Sequence, residues 1–293
     1  MEEMKKAGAI VTCDGEDTEW ASPIVLVKKS DGSTRFCVDF RRLNQVTRKA
    51  THPLPRTDDM LAGLSGQKFF TSLVIKSAYH HVGVHPDDQA KTAFVVLGHG
   101  VHKFVKMSFG LTNAPATFQS LMEKVLPIAK GGRLDGKGSV CFAYLDIIVP
   151  SKTIDEGLDF LELVLKSLLK SNSKLHPKKC KLLQTELVFL GHRVSAEGTA
   201  PDDGKVQKVR DWPTPRSVTE VRAFLGLANY HGAFVKNFSD IAEPLYRLTE
   251  KNCRFLWSAK EDTAFCDLKT ALTRRSWRIV GNLGNQLPPS TRC

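Results

Sequence analysis

The stretch Cys141–Thr153, "CFAYLDIIVPSKT", places one carboxylate in the middle of an apolar run. Aromatic and β-branched residues dominate this run, which predicts a pair of β-strands. Asp146 lies between Leu145 and Ile147, where a charge is costly unless a partner compensates it. A metal ion could do so, but Mg²⁺ prefers several oxygen ligands. The stretch therefore raises the question of which other carboxylates lie beside Asp146.

The composition is that of a globular chain with a basic surface. A length of 293 residues allows a large core and two or three subdomains. Hydrophobic residues make up 42% and charged residues 25%, which is ordinary for a globular protein. The formal net charge of +11 suits a polyanion such as nucleic acid, although solvated lysine faces produce the same value.

Cysteine usage and the N-terminal segment indicate the compartment. Seven scattered cysteines without a C-x-x-C pair argue against both a disulfide framework and a structural zinc site. The first residues, "MEEMKKAGAIV", lack the apolar segment of a secretory signal. No run approaches the roughly 20 apolar residues that a membrane span requires. We therefore expect an intracellular protein, cytoplasmic or nuclear, with no membrane partner.

Hairpins and amphipathic helices are interspersed irregularly along the chain, which predicts an α+β fold. Hairpins are predicted over residues 22–44, 91–107 and 185–195, and a strand followed by a turn or short helix over 68–84. Helices are predicted over 111–126, with Thr112 or Asn113 as cap, over 155–171, and from 218 onward behind a Ser217–Glu220 capping box. Residues 274–293 follow neither period, which predicts disorder.

Six motifs in one order resemble the reverse transcriptase domain of gypsy-type LTR retrotransposon Pol polyproteins. They are "WASPIVLVKKSDGSTRFCVDFRRLN" (20–44), "HPDDQAKTAF" (85–94), "FGLTNAPATFQ" (109–119), "FLGHRVSAEG" (189–198), "DWPTP" (211–215) and "FLGLANY" (224–230). The similarity covers roughly residues 5–273. It implies a right-hand polymerase fold that copies RNA or DNA templates with two Mg²⁺ ions, in the cytoplasm, the nucleus or a virus-like particle.

The resemblance also implies a division into subdomains. Fingers are expected at 1–48 and 82–113, palm at 49–81 and 114–197, thumb at 198–250, and the start of a connection at 251–273. The protease, RNase H and integrase domains of such polyproteins are expected to be absent from these residues. The implied partners are an RNA or DNA template–primer duplex and a dNTP.

Five residues match family positions that hold the incoming nucleotide: Lys28, Arg35, Tyr79, Phe109 and Gly110. Arginine supplies a fork of donors and lysine a point charge, which suits a triphosphate. The aromatic ring of Tyr79 would exclude a ribose 2′-OH, and a glycine lets the backbone approach a ligand closely. Without the family, an exposed basic hairpin, a half-buried tyrosine and ordinary turn chemistry explain the same residues.

A second group matches positions that hold the primer and template in the family. "FLGH" corresponds to the hairpin at the primer end, and one face of the helix in "FLGLANY" corresponds to the surface along the minor groove. The alternatives are a buried strand tip and tight helix packing around Gly226. The implied residues are Tyr144, Phe189, Leu190, Gly191, Gly226 and Tyr230.

The family's catalytic carboxylates are incomplete in this chain. The resemblance implies one Asp at the end of a strand, where Val74 stands, and two in a Tyr-x-Asp-Asp turn. Here the turn is Tyr144-Leu145-Asp146-Ile147, so one residue is missing and Asp146 could match either member of the pair. Strand alternation places Ser72, Val74 and Lys76 on one face, where Val74 interrupts a polar series.

We therefore predict that Asp146 is the one surviving catalytic and metal-binding carboxylate, that Mg²⁺ binding is doubtful, and that polymerase activity is negligible. The alternative is a non-catalytic nucleic-acid-binding remnant or a fragment of a decayed element.

Overall fold

A computed structural model of the protein describes residues 1–13, 18–28, 32, 34–129, 134–135, 139–230, 232, 235, 237–250 and 254–273. The α-helices are α1 Glu2–Lys6, α2 Arg41–Val46, α3 Thr57–Gly63, α4 Pro86–Gln89, α5 Ala114–Val125, α6 Ile154–Lys170, α7 Asp203–Arg210, α8 Val218–Tyr230, α9 Phe238–Arg247 and α10 Ala259–Thr273. The predicted disorder of 274–293 falls outside the described residues.

The strands form antiparallel hairpins between these helices, which confirms the predicted α+β class. They are β1 Ile10–Thr12, β2 Ile24–Lys28, β3 Thr34–Val38, β4 Phe69–Val74, β5 Phe94–Val96, β6 Gly100–Phe104, β7 Phe142–Tyr144, β8 Asp146–Ser151, β9 Lys181–Gln184, β10 Glu186–Phe189, β11 His192–Ser195 and β12 Gly198–Pro201. No helix in the described ranges combines the length and apolarity needed to cross a membrane.

The chain folds as two compact units. The first comprises Met1–Arg56, Thr71–Val149 and Leu158–Leu182, and the second comprises Thr57–Phe70, Pro150–Gly157 and the residues from Leu183 onward. The boundaries of fingers, palm and thumb remain predictions.

Two of the predicted hairpins build one end of the first unit. Strands β2 and β3 pair from Ile24 opposite Val38 to Lys28 opposite Thr34. Strands β5 and β6 form the second hairpin, and β1 adds to the other edge of β6, which the short β1 segment did not predict. Phenylalanine rings fill the core between these strands, with Phe40, Phe94 and Phe104 almost completely buried.

The four-stranded sheet β7-β8-β4-β9 has one face covered by α5 and α6. Alternate strand residues enter this core because successive side chains point to opposite faces. The core members from the strands and their flanks are Leu73, Ile75, Ala143, Ile147 and Val149, and those from the helices include Phe118, Met122, Val164 and Leu168. Residues between these strand positions therefore lie on the opposite face.

The second unit contains the three-stranded sheet β10-β11-β12 and the helices α7 to α10. The helices pack around Phe224, whose ring centroid lies 4.7 Å from that of Phe265. The predicted capping box forms in part: the Glu220 amide donates to Ser217 Oγ at 3.3 Å, but Glu220 Oε2 accepts from the Arg216 amide, at 2.7 Å, instead of from the Ser217 amide. The predicted 185–195 hairpin is β10–β11, and β12 extends it.

Candidate functional site

Val74 and Asp146 lie on the same face of adjacent strands β4 and β8. Their neighbours Leu73, Ile75 and Ile147 are buried in the core beneath α5 and α6, so alternation directs Val74 and Asp146 to the opposite face. Asp146 is exposed and Val74 is half-buried. The structure thus places Val74, which the sequence analysis matched to the family's first Asp, on the same side of the sheet as Asp146.

The turn between β7 and β8 is one residue long. Tyr144 pairs directly with Asp146, and Leu145 alone connects them. Leu145 has a φ of 66°, in the left-handed region that is costly for a residue with a branched side chain. The shortened Tyr-Leu-Asp motif is therefore accommodated by local backbone strain, and the pairing continues from Ala143–Ile147 to Phe142–Ile148.

Partial loss of water around Asp146 raises the pKa of its carboxyl group above the ordinary value of 3.8, and the nearby Lys179 ammonium partly offsets the rise. The carboxylate form is thus disfavoured relative to a fully hydrated aspartate. Lys179 belongs to a short 3₁₀ helix, Pro177–Lys179, that precedes β9. A cation rather than a second carboxylate is the charged neighbour that acts on Asp146.

The segment before β9 also holds the backbone of Val74. The Val74 amide donates to Cys180 Sγ at 3.5 Å, and the His176 amide donates to the Val74 carbonyl oxygen at 2.8 Å. Both backbone polar groups of Val74 are therefore occupied, and its side chain is the only part that faces the candidate site. A valine side chain has no atom that can coordinate a metal.

The described residues do not fit a two-metal site. Two-metal phosphoryl transfer needs several carboxylates around ions about 3.5–4 Å apart. Within the described ranges, no group of three or more His, Cys, Asp or Glu side chains is arranged to hold a metal ion. Near Asp146, Val74 contributes an apolar side chain and Lys179 a positive charge, and neither can replace a carboxylate ligand.

Tyr79, Phe109 and Gly110 come together next to this face. The ring centroids of Tyr79 and Phe109 are 4.7 Å apart in an edge-to-face arrangement, and Phe118 packs on Tyr79 at 5.9 Å. Tyr79 is buried, whereas Phe109 is 55% exposed. Burial raises the pKa of the Tyr79 phenol, and the nearby phenol of Tyr144 adds to the rise. The structure therefore brings Tyr79, Phe109 and Phe118 into one aromatic cluster.

Gly110 adopts a φ of +92°, which only glycine tolerates easily, and a Cβ there would lie 3.4 Å from the Val38 carbonyl oxygen. Asn44 fixes this loop: its Nδ2 donates to the Gly110 carbonyl oxygen and its Oδ1 accepts from the Thr112 amide, both at 2.8 Å. The sequence interpretation missed Asn44, although it stands in the quoted motif "FRRLN".

Asn113 is the N-cap residue of α5, as predicted, but its side chain does not cap the helix. Its Oδ1 accepts from the Ala50 amide, and its Nδ2 donates to the Arg48 carbonyl oxygen, both at 2.9 Å. Asn44 and Asn113 together fasten the 44–50 segment to the loop that carries Phe109 and Gly110.

Lys28 and Arg35 are exposed on the β2–β3 hairpin but point to opposite faces of it. Lys28 stands opposite Thr34, and Arg35 stands opposite Val27. Directly opposed residues share a face and successive residues alternate, so the two cations lie on different sides. The hairpin pairing therefore does not bring them onto one surface for a common phosphate group.

Five of the six residues predicted to hold the primer and template lie in the second unit, whereas Tyr144 lies in the first. Phe189 is buried, and Leu190 and Gly191 form the two-residue turn between β10 and β11. Tyr230, at the end of α8, stacks on His192 with ring centroids 5.3 Å apart and an interplanar angle of 17°. The Tyr230 hydroxyl donates to the Leu190 carbonyl oxygen. The "FLGH" turn and the end of α8 are thus in direct contact.

Gly226 lies on the exposed side of α8, one turn before Tyr230. Among the residues that the structure describes, none has a heavy atom within 4 Å of a Cβ built on Gly226. Tight helix packing around this glycine, the alternative that the sequence left open, therefore does not explain it. The open surface at Gly226 can accommodate an external ligand.

Comparisons with known proteins identify the family. The family model "Reverse transcriptase (RNA-dependent DNA polymerase)" matches residues 27–194. The Pol polyprotein of transposon opus from Drosophila melanogaster is 36% identical over 273 residues, which cover 87% of this chain and 26% of that protein. The Tf2-3 polyprotein from Schizosaccharomyces pombe is 32% identical over 252 residues. This match covers 86% of this chain and 18% of that polyprotein.

Solved structures give the same result for the fold. The foamy viral protease–reverse transcriptase in complex with double-stranded DNA is similar with a TM-score of 0.83 and 26% identity, covering 94% of this chain and 47% of that one. The foamy viral protease–reverse transcriptase in complex with an RNA/DNA hybrid is similar with a TM-score of 0.78 and 25% identity. This match covers 94% of this chain and 36% of that one. The predicted polymerase fold is therefore confirmed.

The chain spans between about a fifth and a quarter of the length of the curated relatives it matches. The family match covers more than half of the chain, and the relatives confirm the resemblance to transposon Pol polyproteins. The chain therefore belongs to the reverse transcriptase (RNA-dependent DNA polymerase) family.

Proposed function

We propose that this chain is a reverse transcriptase domain that binds template–primer duplex and is severely impaired in adding nucleotides. One observation carries the proposal: on the face of the sheet that displays Asp146, the adjacent strand presents Val74, and the β7–β8 turn has only one residue. Reverse transcriptases generally use divalent metal ions, and Mg²⁺ would find one carboxylate here. Asp146 is the catalytic and metal-binding residue that remains in this proposal.

The size of the defect follows from the role of the missing ligands. Metal ions in two-metal sites stabilise both the attacking and the leaving oxygen. Each 1.4 kcal/mol of lost transition-state stabilisation lowers a rate about tenfold. Loss of a site that contributes several kcal/mol therefore lowers the rate by roughly a thousandfold or more, and losses within one site are not additive.

Several features support retained nucleic-acid binding. The foamy viral relatives were solved with double-stranded DNA and with an RNA/DNA hybrid, and this chain has a net charge of +11. The exposed side of α8 at Gly226 and the turn at Leu190–Gly191 correspond to the duplex-binding and primer-binding positions implied by the family. Tyr79, Phe109 and Gly110 would hold the dNTP, with Lys28 and Arg35 approaching from different sides of the fingers hairpin.

The proposal includes the subdomain boundaries predicted from the sequence and an intracellular location, in the cytoplasm, the nucleus or a virus-like particle. No disulfide joins the described cysteines Cys13, Cys37, Cys141, Cys180 and Cys266, which suits a reducing compartment. The protease, RNase H and integrase activities of Pol polyproteins would be supplied by other domains of such a polyprotein.

Primer extension on a poly(rA)–oligo(dT) substrate tests the catalytic part. We expect the unaltered chain to extend primers at least roughly a thousandfold more slowly than a variant with Val74→Asp and an Asp inserted after Asp146. A matched variant with Val74→Asn and an inserted Asn controls for turn length and polarity without adding carboxylates. If the unaltered chain is as fast as the restored variant, or if neither extends primers, the missing carboxylates are not the cause.

Salt-dependent duplex binding tests the second part. An electrostatic groove predicts that the logarithm of the association constant falls linearly with the logarithm of salt concentration. Binding that barely responds to salt, or no binding at all, would leave the chain as a fragment without a nucleic-acid function.

A further inference from the structure

The turn at Leu190 and Gly191 is conformationally demanding. The β10–β11 hairpin pairs Phe189 with His192, so these two residues form its entire loop. Their φ values are 49° and 75°, both in the left-handed region, as a type I′ turn requires. This turn favours Asn or Gly at its first position, and leucine there is costly. The turn therefore depends on contacts outside the hairpin.

The two carbonyl oxygens of the turn have partners from two different elements. The Leu190 oxygen accepts from the Tyr230 hydroxyl at the end of α8. The Gly191 oxygen accepts from the Asp202 amide, just after β12, at 3.3 Å. The contact from Tyr230 is the one that a side-chain substitution can remove.

Tyr230 reaches the hairpin with its ring as well as its hydroxyl. Its ring is nearly parallel to that of His192, the residue that follows the turn, at a centroid distance of 5.3 Å. Burial raises the pKa of the Tyr230 phenol above its ordinary value. Both the ring and the hydroxyl of Tyr230 thus contact residues of the "FLGH" segment.

The other side of α8 is fixed in the helical core. Phe224, Leu225 and Ala228 are buried there, which sets the rotation of the helix and the direction of Tyr230. Tyr246 makes a comparable exposed hydrogen bond, but from its hydroxyl to Asn229 Oδ1 of α8, at 2.6 Å, and not to the turn. It offers a matched control for the loss of a tyrosine hydroxyl in this unit.

We infer that Tyr230 is a positioning residue: it fixes the strained Leu190–Gly191 turn to α8 rather than contacting the duplex itself. The inference rests on the proposed function, in which this turn holds the primer end. Through the turn, Tyr230 would determine how well the chain recognises a recessed primer terminus, while the open surface at Gly226 serves the duplex in general.

Amide hydrogen exchange on the free, full-length chain tests the contact without nucleic acid. Tyr230→Phe keeps the stacked ring and removes the hydroxyl, so exchange at the His192 amide should become about three- to tenfold faster. Tyr246→Phe should leave that amide unchanged within about twofold. Equal effects of the two substitutions, or none from Tyr230→Phe, would overturn the inference.

A pair of DNA substrates tests the consequence for binding: a template–primer with a recessed 3′ end and a blunt duplex of equal length. We expect Tyr230→Phe to lower the affinity for the recessed end about three- to tenfold more than the affinity for the blunt duplex. If Tyr230 contacts the duplex directly, Tyr230→Phe will change neither affinity and Tyr230→Ala will weaken both equally, which contradicts the inference. If the unaltered chain binds neither substrate, the proposed function fails, and the exchange result still decides the role of Tyr230.

Discussion

Tyr144 and Asp146 are direct partners across the β7–β8 hairpin, with Leu145 alone between them. The pattern that the family resemblance implies has one more residue in this turn; in this chain Leu145 adopts a left-handed φ and the strand pairing is unbroken. Asp146 consequently stays on the open face of the sheet, opposite the core that contains Ile147.

Relief of this strain is measurable. Leu145→Gly should raise the free energy of unfolding by about 0.5–1 kcal/mol, because glycine adopts a φ of 66° without the cost that leucine bears. Urea denaturation measures the change. The control Leu97→Gly removes a side chain that is 95% exposed in another turn and should lower stability by roughly 0.5 kcal/mol. A loss of stability from both substitutions would show that Leu145 is not strained.

The raised pKa of Asp146 predicts a specific pH dependence of stability. Because the carboxyl group has a higher pKa in the folded than in the unfolded chain, its protonated form stabilises the fold below about pH 3.8, and this contribution is lost as pH rises through the folded-state pKa. Asparagine has no titrating carboxyl group, so Asp146→Asn lacks this pH-dependent contribution to stability. The stability of Asp146→Asn relative to the unaltered chain should therefore increase from about pH 3 to about pH 7. A constant difference would contradict the raised pKa.

The charge of Lys179 should lower the pKa of Asp146 in the folded chain. Its ammonium lowers the pKa of Asp146, so Lys179→Met should raise that pKa further, as measured by carbon NMR of the carboxyl group. Lys178→Met removes the charge of the exposed residue next to it and should have little effect on Asp146. If the two substitutions shift the titration equally, the effect is one of net charge rather than of the Lys179 position.

Substitution of Gly226 by alanine should change stability and duplex binding in opposite directions. Because a Cβ at Gly226 meets nothing within 4 Å, Gly226→Ala should stabilise α8 by about 0.5–1 kcal/mol. The same methyl group should weaken duplex binding several-fold if this surface faces the duplex. Thermal unfolding and duplex titration measure the two effects.

Gly157 is the matched contrast, since a Cβ there would lie 2.6 Å from Ser151 Oγ and 2.8 Å from Leu183 Cδ2. Gly157→Ala should destabilise the chain by about 1 kcal/mol through overpacking. Unchanged duplex affinity in Gly226→Ala would assign the duplex to another surface.

Asn44 should matter for stability through the loop of Gly110. Asn44→Ala removes the hydrogen bonds to Gly110 and Thr112 and should cost about 1–2 kcal/mol. Gln45→Ala changes an exposed residue of the same helix and should be nearly neutral. Denaturant unfolding distinguishes the two, and equal effects would assign the loss to α2 as a whole.

Local patterns predicted much of this molecule correctly. Ser217 and Glu220 identified the start of α8 because a capping box involves only neighbouring backbone groups. The alternation around Val74 identified the half-exposed face of β4, since a strand repeats every two residues. The family motifs then located Val74 and the shortened turn in the candidate site.

Contacts between distant segments could not be predicted in the same way. Asn113 has the chemistry of a cap, yet its side chain bonds to Arg48 and Ala50, because the fold brings a competing set of backbone groups within reach. The contact between Tyr230 and Leu190 spans 40 residues of sequence and depends on how α8 packs. The opposite orientation of Lys28 and Arg35 follows from hairpin register, which the turn residues alone did not determine.

The single-residue connection at Leu145 also bears on the history of the gene. A base change at one codon can convert Val74 to aspartate, but no base change can lengthen the hairpin. Recovery of a second aspartate in a turn of the original size requires an in-frame insertion at one particular place, or exchange of this segment with an intact copy. Under the proposed function, this lineage returns to DNA synthesis far more readily by recombination than by point mutation.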